Sequence, residues 1–369
     1  MTGLRGRLGR MFGGASVEIE GAPPAELVVA PESAEQVARL LDFCSEHGLV
    51  VLPWGAGTHQ GYGGRIDPDV VISTERFEGV EVWSPGDLTV VVGAGTTLGA
   101  LAEHIGARGQ SAVLPEDEDA STIGGVVAAG ISAWRRLRYG PTRDRVLEVV
   151  FVTGDGRVVK SGAQVVKNVT GYDIPKLMTG SFGSLGLITR ICLKLWPEAE
   201  ASATVVVDDV DRALALAYRP LAVLETAESS AVYLSGTAAE VEAQAGALDG
   251  SSAPGLRWPQ RPGGDFQVSL RVPPAMTAEA VGRLDGARFV AAHGVGDIAA
   301  AIDESSLEEL RIWAESVGGA AVIVSAPETA YGEIDPWGSS PQTAALQRRI
   351  KASFDPAGVL VPGRLPGGV

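Results

Sequence analysis

Glycine-rich segments that directly follow apolar strands restrict the fold of this chain more than any other feature. The segment PWGAGTHQGYGG, residues 53–64, holds five glycines and comes immediately after the apolar run LVVL. Glycine lets a backbone come close to a ligand and permits positive φ, so several peptide N–H groups can converge on one anion. The segment therefore suits a pyrophosphate, and a tight surface turn is an equally good interpretation. It is not a Walker loop, because no Gly-Lys-Ser/Thr follows.

Two further glycine segments each allow a structural and a functional interpretation. VVGAGTTLGALAEH, residues 91–104, has the spacing GxGxxxG, which indicates a dinucleotide-binding turn or, more simply, a strand leading into a helix. PEDEDASTIGGVVAAG, residues 115–130, contains four adjacent acidic residues without the alternation of calcium ligands, so we expect a solvated loop there. The same segment offers hydroxyl groups and exposed amides, from Ser121, Thr122, Gly124 and Gly125.

Strands and helices alternate through residues 25–196. PESAEQVARLLDFCSEHG predicts a helix with a capping box at Ser33 and a glycine end at Gly48. VLEVVFVTGDGRVVKSG predicts a hairpin that turns at residues 154–156. GLITRICLKLWP predicts a strand with one wet face, formed by Arg190, Cys192 and Lys194. A fourth glycine segment, residues 162–189, is too rich in glycine and polar residues for plain packing.

Composition excludes several classes of protein. The formal net charge of -15 disfavours contact with nucleic acid, because such a chain repels phosphate backbones. Cys44 and Cys192 are the only cysteines, so we expect reduced thiols rather than a disulfide framework. The first twenty residues lack the apolar stretch of a signal peptide, and no run reaches the roughly 18 apolar residues of a spanning helix. We therefore expect a soluble, cytoplasmic protein that meets a membrane only through partners.

Taken in order, these segments resemble the FAD-binding domain of the vanillyl-alcohol oxidase/p-cresol methylhydroxylase (PCMH-type) flavoprotein superfamily. The resemblance runs from about residue 22 to 198 and returns in FDPAGVLVPGR near the C-terminus. The segment VVKNVTGYD and the short C-terminal half resemble most the smaller FAD-binding subunits of bacterial glycolate oxidases.

This resemblance implies an α+β fold. After an N-terminal tail, residues 1–21, it places a PCMH-type FAD-binding domain of two α/β subdomains in residues 22–199. Residues 200–340, where strands alternate with alanine-rich helices, form a smaller α+β cap on the substrate side. Residues 341–369 form a helix and a tail that return to the FAD domain.

The resemblance also implies which residues contact FAD. The first loop cradles the pyrophosphate, the STIGG segment lies beside the pyrophosphate and the flavin, and a later strand passes the cofactor with its backbone. The implied contacts are Pro53, Gly55, Ala56, Gly57, Thr58, His59, Gly61, Ser121, Thr122, Gly124, Gly125, Gly186 and Ile188. Some members tether FAD through a histidine directly after paired glycines. Here Thr58 stands in that place, so we expect non-covalent FAD.

Catalytic features of the family are only partly present. Phe182 replaces the glutamate of the GSEG motif, and Val361 replaces the asparagine of the NPG motif. The four histidines include no pair at ligand spacing, so we expect no metal site. Oxidation of a 2-hydroxy acid needs a base and a cation for the carboxylate. The candidate base is His293, the one cap histidine, and the candidate cations are Arg143, Arg271 and Arg364, of which Arg364 is placed at the flavin edge.

The favoured hypothesis is an FAD-dependent oxidoreductase acting on CH–OH groups. It is the FAD-binding subunit of a glycolate-oxidase-like complex, with a larger catalytic FAD subunit and an iron–sulfur subunit as partners. The complex would oxidise glycolate or a similar 2-hydroxy acid to the 2-oxo acid. The alternatives are a stand-alone FAD-linked dehydrogenase, a non-catalytic assembly subunit that kept the fold, and a cell-wall sugar reductase, for which no second nucleotide site is evident.

Overall fold

The computed structural model describes residues 18–165 and 171–369. Most of the predicted N-terminal tail and the centre of the VVKNVTGYD segment, residues 166–170, lie outside the described residues. In the described ranges no helix has both the length and the apolar character needed to cross a bilayer.

Most elements of the first half are short. The strands are β1 (Leu27–Val29), β2 (Val51–Trp54), β3 (Val70–Ser73), β4 (Val80–Ser84), β5 (Thr89–Gly93), β6 (Gln110–Ser111), β7 (Val146–Val152), β8 (Val158–Gly162), β9 (Leu187–Lys194) and β10 (Trp196–Pro197). The helices are α1 (Ala34–His47), α2 (Leu98–Gly106), α3 (Ile123–Ala129), α4 (Arg136–Tyr139) and α5 (Ile174–Met178), with a 3-10 turn at Thr142–Asp144.

The second half is built on longer antiparallel strands. The strands are β11 (Ala201–Val207), β12 (Ala222–Thr226), β13 (Ser230–Gly236), β14 (Ser251–Pro254), β15 (Phe266–Arg271), β16 (Arg288–Ala292), β17 (Asp297–Ile302) and β18 (Ala320–Ser325). The helices are α6 (Val210–Leu216), α7 (Ala238–Ala247), α8 (Thr277–Gly282), α9 (Leu307–Ser316) and α10 (Ala344–Phe354), with 3-10 turns at Pro274–Met276, Glu304–Ser306 and Ala330–Gly332.

A small parallel sheet, in the order β1-β3-β2, begins the fold and carries α1. The apolar stripe of α1 is buried against this sheet, in one cluster with residues of all three strands. Ser33 caps the helix by accepting from the backbone N–H of Gln36, and Gly48 ends it with φ 65. The return bond of the predicted capping box differs, because the Gln36 side chain accepts from the N–H of Glu32.

The five-stranded sheet, in the order β4-β5-β9-β7-β8, is antiparallel and buries α2 and α3. One prediction for β9 was wrong: Cys192 is buried, although it alternates with Arg190 and Lys194. Glu148, opposite Cys192 on β7, forms ion pairs with Lys160 and Arg190, and this polar layer covers the thiol. Burial raises the pKa of Cys192 to about 12, so the thiol stays protonated at neutral pH.

The eight-stranded sheet is formed entirely by residues 201–325, in the order β14-β11-β13-β12-β16-β17-β15-β18. All seven neighbouring pairs are antiparallel. One apolar cluster joins α9 to β15, β17 and β18, and another joins α6 and α7 to β11 and β13. The sheet therefore keeps another face near its β15 and β17 strands for contact with the first half of the chain.

The C-terminal tail returns to the parallel sheet. After α10, the backbone N–H of Val51 donates to the carbonyl of Val359, and the N–H of Val361 donates to the carbonyl of Val51. A buried ion pair holds this turn, because the Lys351 ammonium lies 2.6 Å from a carboxylate oxygen of Asp355. The tail thus reaches β2 immediately before the first glycine loop.

Candidate functional site

The first glycine loop leaves five successive backbone N–H groups free. In the described part of the chain, the N–H groups of residues 55–59 donate no hydrogen bond to backbone or side-chain acceptors. The loop bends at Gly57, where φ is 77. Beyond it, the N–H of Gln60 donates back to the carbonyl of Gly57. A row of unpaired amides at a strand end is the arrangement that binds anions.

Close packing also demands glycine in this loop. A Cβ at Gly55 would overlap the hydroxyl oxygen of Thr122, and one at Gly57 would lie 2.6 Å from the Trp54 ring. The glycines by themselves are therefore explained by packing between the loops and the preceding strand. The unpaired amides are the observation that points to a ligand.

The STIGG segment contributes hydroxyl groups rather than free amides. The prediction of exposed amides at Gly124 and Gly125 was wrong, because their N–H groups donate to the Ala94 carbonyl and to the Thr122 hydroxyl. These residues begin α3, which Thr122 caps. Ser121 donates to the hydroxyl of Thr58 at 2.9 Å, so the two loops are joined by a direct hydrogen bond.

Arg364 brings a buried cation to the same cleft. Its side chain donates to the side-chain and backbone oxygens of Gln60, both at 2.6 Å. Residues 18–165 and 171–369 supply no carboxylate within ion-pair distance, and the buried Nε of Arg364 has no hydrogen-bond partner. Burial lowers the pKa of Arg364 to about 10, which leaves it charged at neutral pH. A buried guanidinium with an unused donor fits an anionic ligand.

Most of the predicted cofactor contacts meet in one cleft. Its lining includes Pro53, Gly55, Ala56, Gly57, Thr58, His59, Thr122, Gly124, Gly125, Gly186, Ile188 and Arg364. Ser121 instead lines a neighbouring cavity that also contains Thr58 and His59. Gly61 faces away from the cleft, because its carbonyl accepts from the Tyr331 hydroxyl and a Cβ there would meet the backbone of β18.

The cleft and the cavity differ in size. The cleft holds about 80 Å³ and the cavity about 590 Å³. Pockets for drug-sized ligands measure roughly 300–1,000 Å³, so the cleft alone fits only part of a dinucleotide. The cavity lies between the first half of the chain and strands β15 and β17.

A chain of charged groups crosses from the glycine loop to the second half. The Nε2 of His59 lies 3.0 Å from Glu118, and Arg261 contacts both Glu118 and Asp117. The Arg261 guanidinium also lies 4.6 Å from the ring centre of Trp134. The solvated-loop prediction for the acidic run was therefore wrong for these carboxylates, because their cation, Arg261, is more than 140 residues away in sequence.

The pKa values of two of these carboxylates are shifted in opposite directions. For Glu118, burial acts to raise the pKa, but hydrogen bonds and charge from His59 and Arg261 outweigh it and the pKa is lowered. For Asp117, burial dominates over the attraction of Arg261 and the pKa is raised. The additional partner, His59, therefore lets Glu118 keep its charge, whereas Arg261 alone does not offset the burial of Asp117.

His293, the predicted base, lies outside the linings of the cleft and the cavity. It is buried on the second-half sheet, where its Nε2 lies 2.6 Å from a carboxylate oxygen of Glu225. The sequence places it next to β16, and the ion pair holds its ring there. Over residues 18–165 and 171–369 the structure holds no cluster of three potential metal ligands.

An aromatic cluster stands where the catalytic glutamate of the resembled family would be. Phe182 has a positive φ of 52, and its ring lies 5.5 Å from Tyr62 and 5.2 Å from Trp337. Trp337 donates to the backbone carbonyl of Arg364 at 2.8 Å. Sequence reasoning missed Tyr62 and Trp337, because aromatic residues at these positions carry no motif.

Comparison with solved structures defines the fold class first. A structure of alkyldihydroxyacetonephosphate synthase aligns with a TM-score of 0.64 at 15% identity, over 91% of this chain and 75% of that one. At the sequence level, residues 25–162 match the family described as FAD binding domain. Residues 25–162 therefore form an FAD-binding domain, and FAD is its cofactor.

The curated relatives include two dehydrogenases and a subunit of an oxidase. D-lactate dehydrogenase of Archaeoglobus fulgidus is 33% identical, over 47% of this chain and 39% of the relative. The glycolate oxidase subunit GlcD of Bacillus subtilis is 30% identical, over 52% of this chain and 41% of the relative. D-2-hydroxyglutarate dehydrogenase of Xanthomonas citri is 34% identical, over 47% of this chain and 37% of the relative. The chain therefore matches less than half the length of each of these relatives.

Proposed function

We propose that the chain is the FAD-binding subunit of a glycolate-oxidase-like complex that oxidises glycolate or a similar 2-hydroxy acid to the 2-oxo acid. The observation that carries the proposal is one cleft that shares Thr58 and His59 with a larger cavity. Within the described residues, this cleft has five unpaired amides, those of residues 55–59, and the Nε of Arg364 without a partner. The names of the relatives support this substrate class, since they act on lactate, glycolate and 2-hydroxyglutarate.

Different residues of the cleft bind different parts of FAD. The amides of residues 55–59 bind the pyrophosphate, and the hydroxyl of Thr58, joined to Ser121, holds the two loops together beside it. Arg364 supplies the positive charge that stabilises negative charge on the cofactor. When bound, FAD supplies the acceptor for the two electrons that the alcohol carbon loses.

His59 replaces His293 as our candidate for the proton acceptor. It lines both the cleft and the cavity, and Glu118 orients its ring through Nε2 as a carboxylate orients a catalytic histidine. Its Nδ1 contacts only the Thr58 hydroxyl, at 3.2 Å, a long contact that a substrate hydroxyl can replace. Because each ring nitrogen has a partner in the protein, we also propose that FAD is held without a covalent bond to His59.

A second candidate function is a non-catalytic subunit that holds FAD for its partners. Phe182, in the position of the expected glutamate, and Val361, in the position of the expected asparagine, both have positive φ. L-residues rarely adopt this conformation. At these two positions the chain therefore differs from the resembled motifs in side chain and also has an uncommon backbone conformation. The proposed partners are a larger catalytic flavoprotein and an iron–sulfur chain, in the cytoplasm.

Anaerobic mixing separates the two candidates. The FAD-loaded chain is mixed with glycolate, D-lactate or L-lactate, and flavin absorbance near 450 nm is followed. Bleaching by one acid, with formation of the 2-oxo acid, supports substrate oxidation at this flavin. If the flavin of the chain alone stays oxidised and bleaches only in the purified complex, the holding role is correct.

A further inference from the structure

We propose that the cavity binds the carboxylate of a small organic acid at the paired guanidinium groups of Arg271 and Arg136. The inference rests on the proposed function, because it assigns one end of the cavity in which the acid would be oxidised. Of the three arginines considered from the sequence, Arg143 lies outside this cavity and Arg364 is engaged by Gln60, while Arg271 lines the cavity.

Two cations share one carboxylate at this end of the cavity. Arg271 is the last residue of β15, and its Nε lies 3.6 Å from Asp297 at the start of β17. Arg136, at the start of α4, forms an ion pair with the other carboxylate oxygen of Asp297. The three groups therefore carry a net positive charge, and their two arginines come from the two halves of the chain. An additional anion would relieve the repulsion between the guanidinium groups.

Several donors at this end have no partner within the described residues. Arg271 makes no other polar contact there, and the remaining N–H groups of Arg136 have no side-chain or backbone acceptor. The Tyr62 hydroxyl also donates no hydrogen bond, although the residue is only 7% exposed and lines the cavity. Burial raises the pKa of Tyr62, which keeps its hydroxyl protonated as a donor. The side chain of Arg271 is 59% exposed and that of Arg136 is 31% exposed, so their free N–H groups are accessible to a ligand that supplies acceptors.

A second cluster of charged residues lines the same cavity and has the reverse character. There Arg261 serves two carboxylates, Asp117 and Glu118, and His59 shares Glu118. The remaining buried carboxylate of that loop, Glu116, is paired with Arg135 and does not neutralise the arginine pair. The cavity lining therefore combines a cluster of net positive charge, Arg136, Arg271 and Asp297, with a cluster of net negative charge around Arg261.

This polarity orients a hydroxy acid. A planar carboxylate accepts two parallel hydrogen bonds from a guanidinium, which suits the positive cluster. A hydroxyl group can donate toward His59, which lines the same cavity, whereas an acid without the hydroxyl makes no such bond. The ligand class is therefore a small 2-hydroxy acid or its 2-oxo product, held by its carboxylate at Arg271.

Binding of oxalate to the FAD-loaded chain tests the inference without turnover. Oxalate carries two carboxylates and no hydrogen to lose, so calorimetry and the perturbation of the flavin spectrum report binding alone. In Arg271→Gln we expect oxalate affinity to fall about ten- to a hundredfold, the size of a lost hydrogen bond between charged groups. Tyr62→Phe should weaken binding less, and Arg271→Lys should recover part of it.

Arg283→Gln is the matched control. Arg283 is a surface arginine that pairs with Glu279 and does not line the cavity, so its variant should bind oxalate as the unmodified chain does. Thermal unfolding and retained FAD absorbance show that each variant is folded. The inference is overturned if the unmodified chain binds no oxalate at millimolar concentration, or if Arg271→Gln and Arg283→Gln bind it equally.

Two further outcomes separate the ligand class and the proposed function. Inorganic phosphate, titrated in the same way, should bind at least tenfold more weakly than oxalate; equal binding would show a general anion site and overturn the carboxylate assignment. If oxalate binds through Arg271 but no acid reduces the flavin, the inference stands and the proposed oxidation fails. If acids reduce the flavin with an unchanged KM in Arg271→Gln, the inference fails and the oxidation stands.

Discussion

At the scale of single residues, Arg364 is a buried side chain that lacks both a carboxylate partner and an acceptor for its Nε within the described residues. A buried guanidinium without a carboxylate partner among residues 18–165 and 171–369 is unfavourable until an anion is bound. The sequence predicted its place through the tail segment FDPAGVLVPGR. It did not predict Gln60, which holds the guanidinium with two oxygens and lies more than 300 residues earlier.

Replacing Arg364 by Gln should weaken FAD binding by tenfold or more, since a hydrogen bond to a charged group contributes roughly 1.5–3 kcal/mol. Quenching of flavin fluorescence during titration of the apoprotein measures the dissociation constant. Arg348→Gln is the control, because Arg348 is exposed and contacts only the Gly367 carbonyl. An unchanged FAD affinity in Arg364→Gln would show that this cation does not face the cofactor.

Substitution of Gly55 tests the packing between the first glycine loop and the STIGG segment. A Cβ at Gly55 would overlap the Thr122 hydroxyl, so Gly55→Ala should lower the free energy of unfolding by about 1–3 kcal/mol, the usual cost of overpacking. Gly86→Ala is the control, because a Cβ there meets nothing within 4 Å and its φ is not positive. Urea unfolding of both apoproteins measures the difference, and equal stabilities would contradict the packing described here.

At the scale of elements, local sequence signals predicted local structure well. Helix α1 is capped by Ser33 and ends at Gly48, as predicted. The hairpin β7–β8 turns at the glycines of TGDG. Within the acidic run, the solvated-loop prediction was wrong for Asp117 and Glu118, because their partner Arg261 is distant in sequence. Nothing near Glu118 indicates that Arg261 and His59 will neutralise it, so only the folded structure reveals the pairing.

The opposite pKa shifts of Glu118 and Asp117 predict opposite effects on acid stability. Glu118 has a pKa below its ordinary 4.5, so its stabilisation is complete above pH 4.5 and is lost as the pH falls through the lower folded value. Asp117 has a pKa above its ordinary 3.8, so its protonation in the folded state favours folding as the pH falls. Removing each charge should therefore change the pH slope in opposite directions.

Thermal unfolding of Glu118→Gln and Asp117→Asn between pH 7 and 3 measures these slopes. Glu118→Gln should lose less stability than the unmodified chain below pH 4.5, and Asp117→Asn should lose more. Glu75→Gln, a substitution in an exposed turn, serves as the control. Parallel curves for all four proteins would show that the Arg261 network does not couple to acid unfolding.

At the scale of the whole molecule, the resemblance predicted the fold class and FAD, which the comparisons confirm. The order of the glycine segments was sufficient, because each follows a strand and their spacing fixes how the loops meet. The cavity could not be predicted in this way. Its two charged clusters bring together Arg136 and Arg271, and Asp117 and Arg261, pairs that lie more than 130 residues apart in sequence.

Release of FAD from the denatured chain shows whether the loop of residues 55–59 and Arg364 hold the cofactor without a covalent bond, as we propose. The chain is purified, its visible spectrum is recorded, and it is precipitated with acid so that bound flavin can be measured in the supernatant and the pellet. We expect a flavin spectrum and one FAD per chain in the supernatant. A folded but colourless chain that takes up no added FAD, or flavin that stays in the pellet, would contradict it.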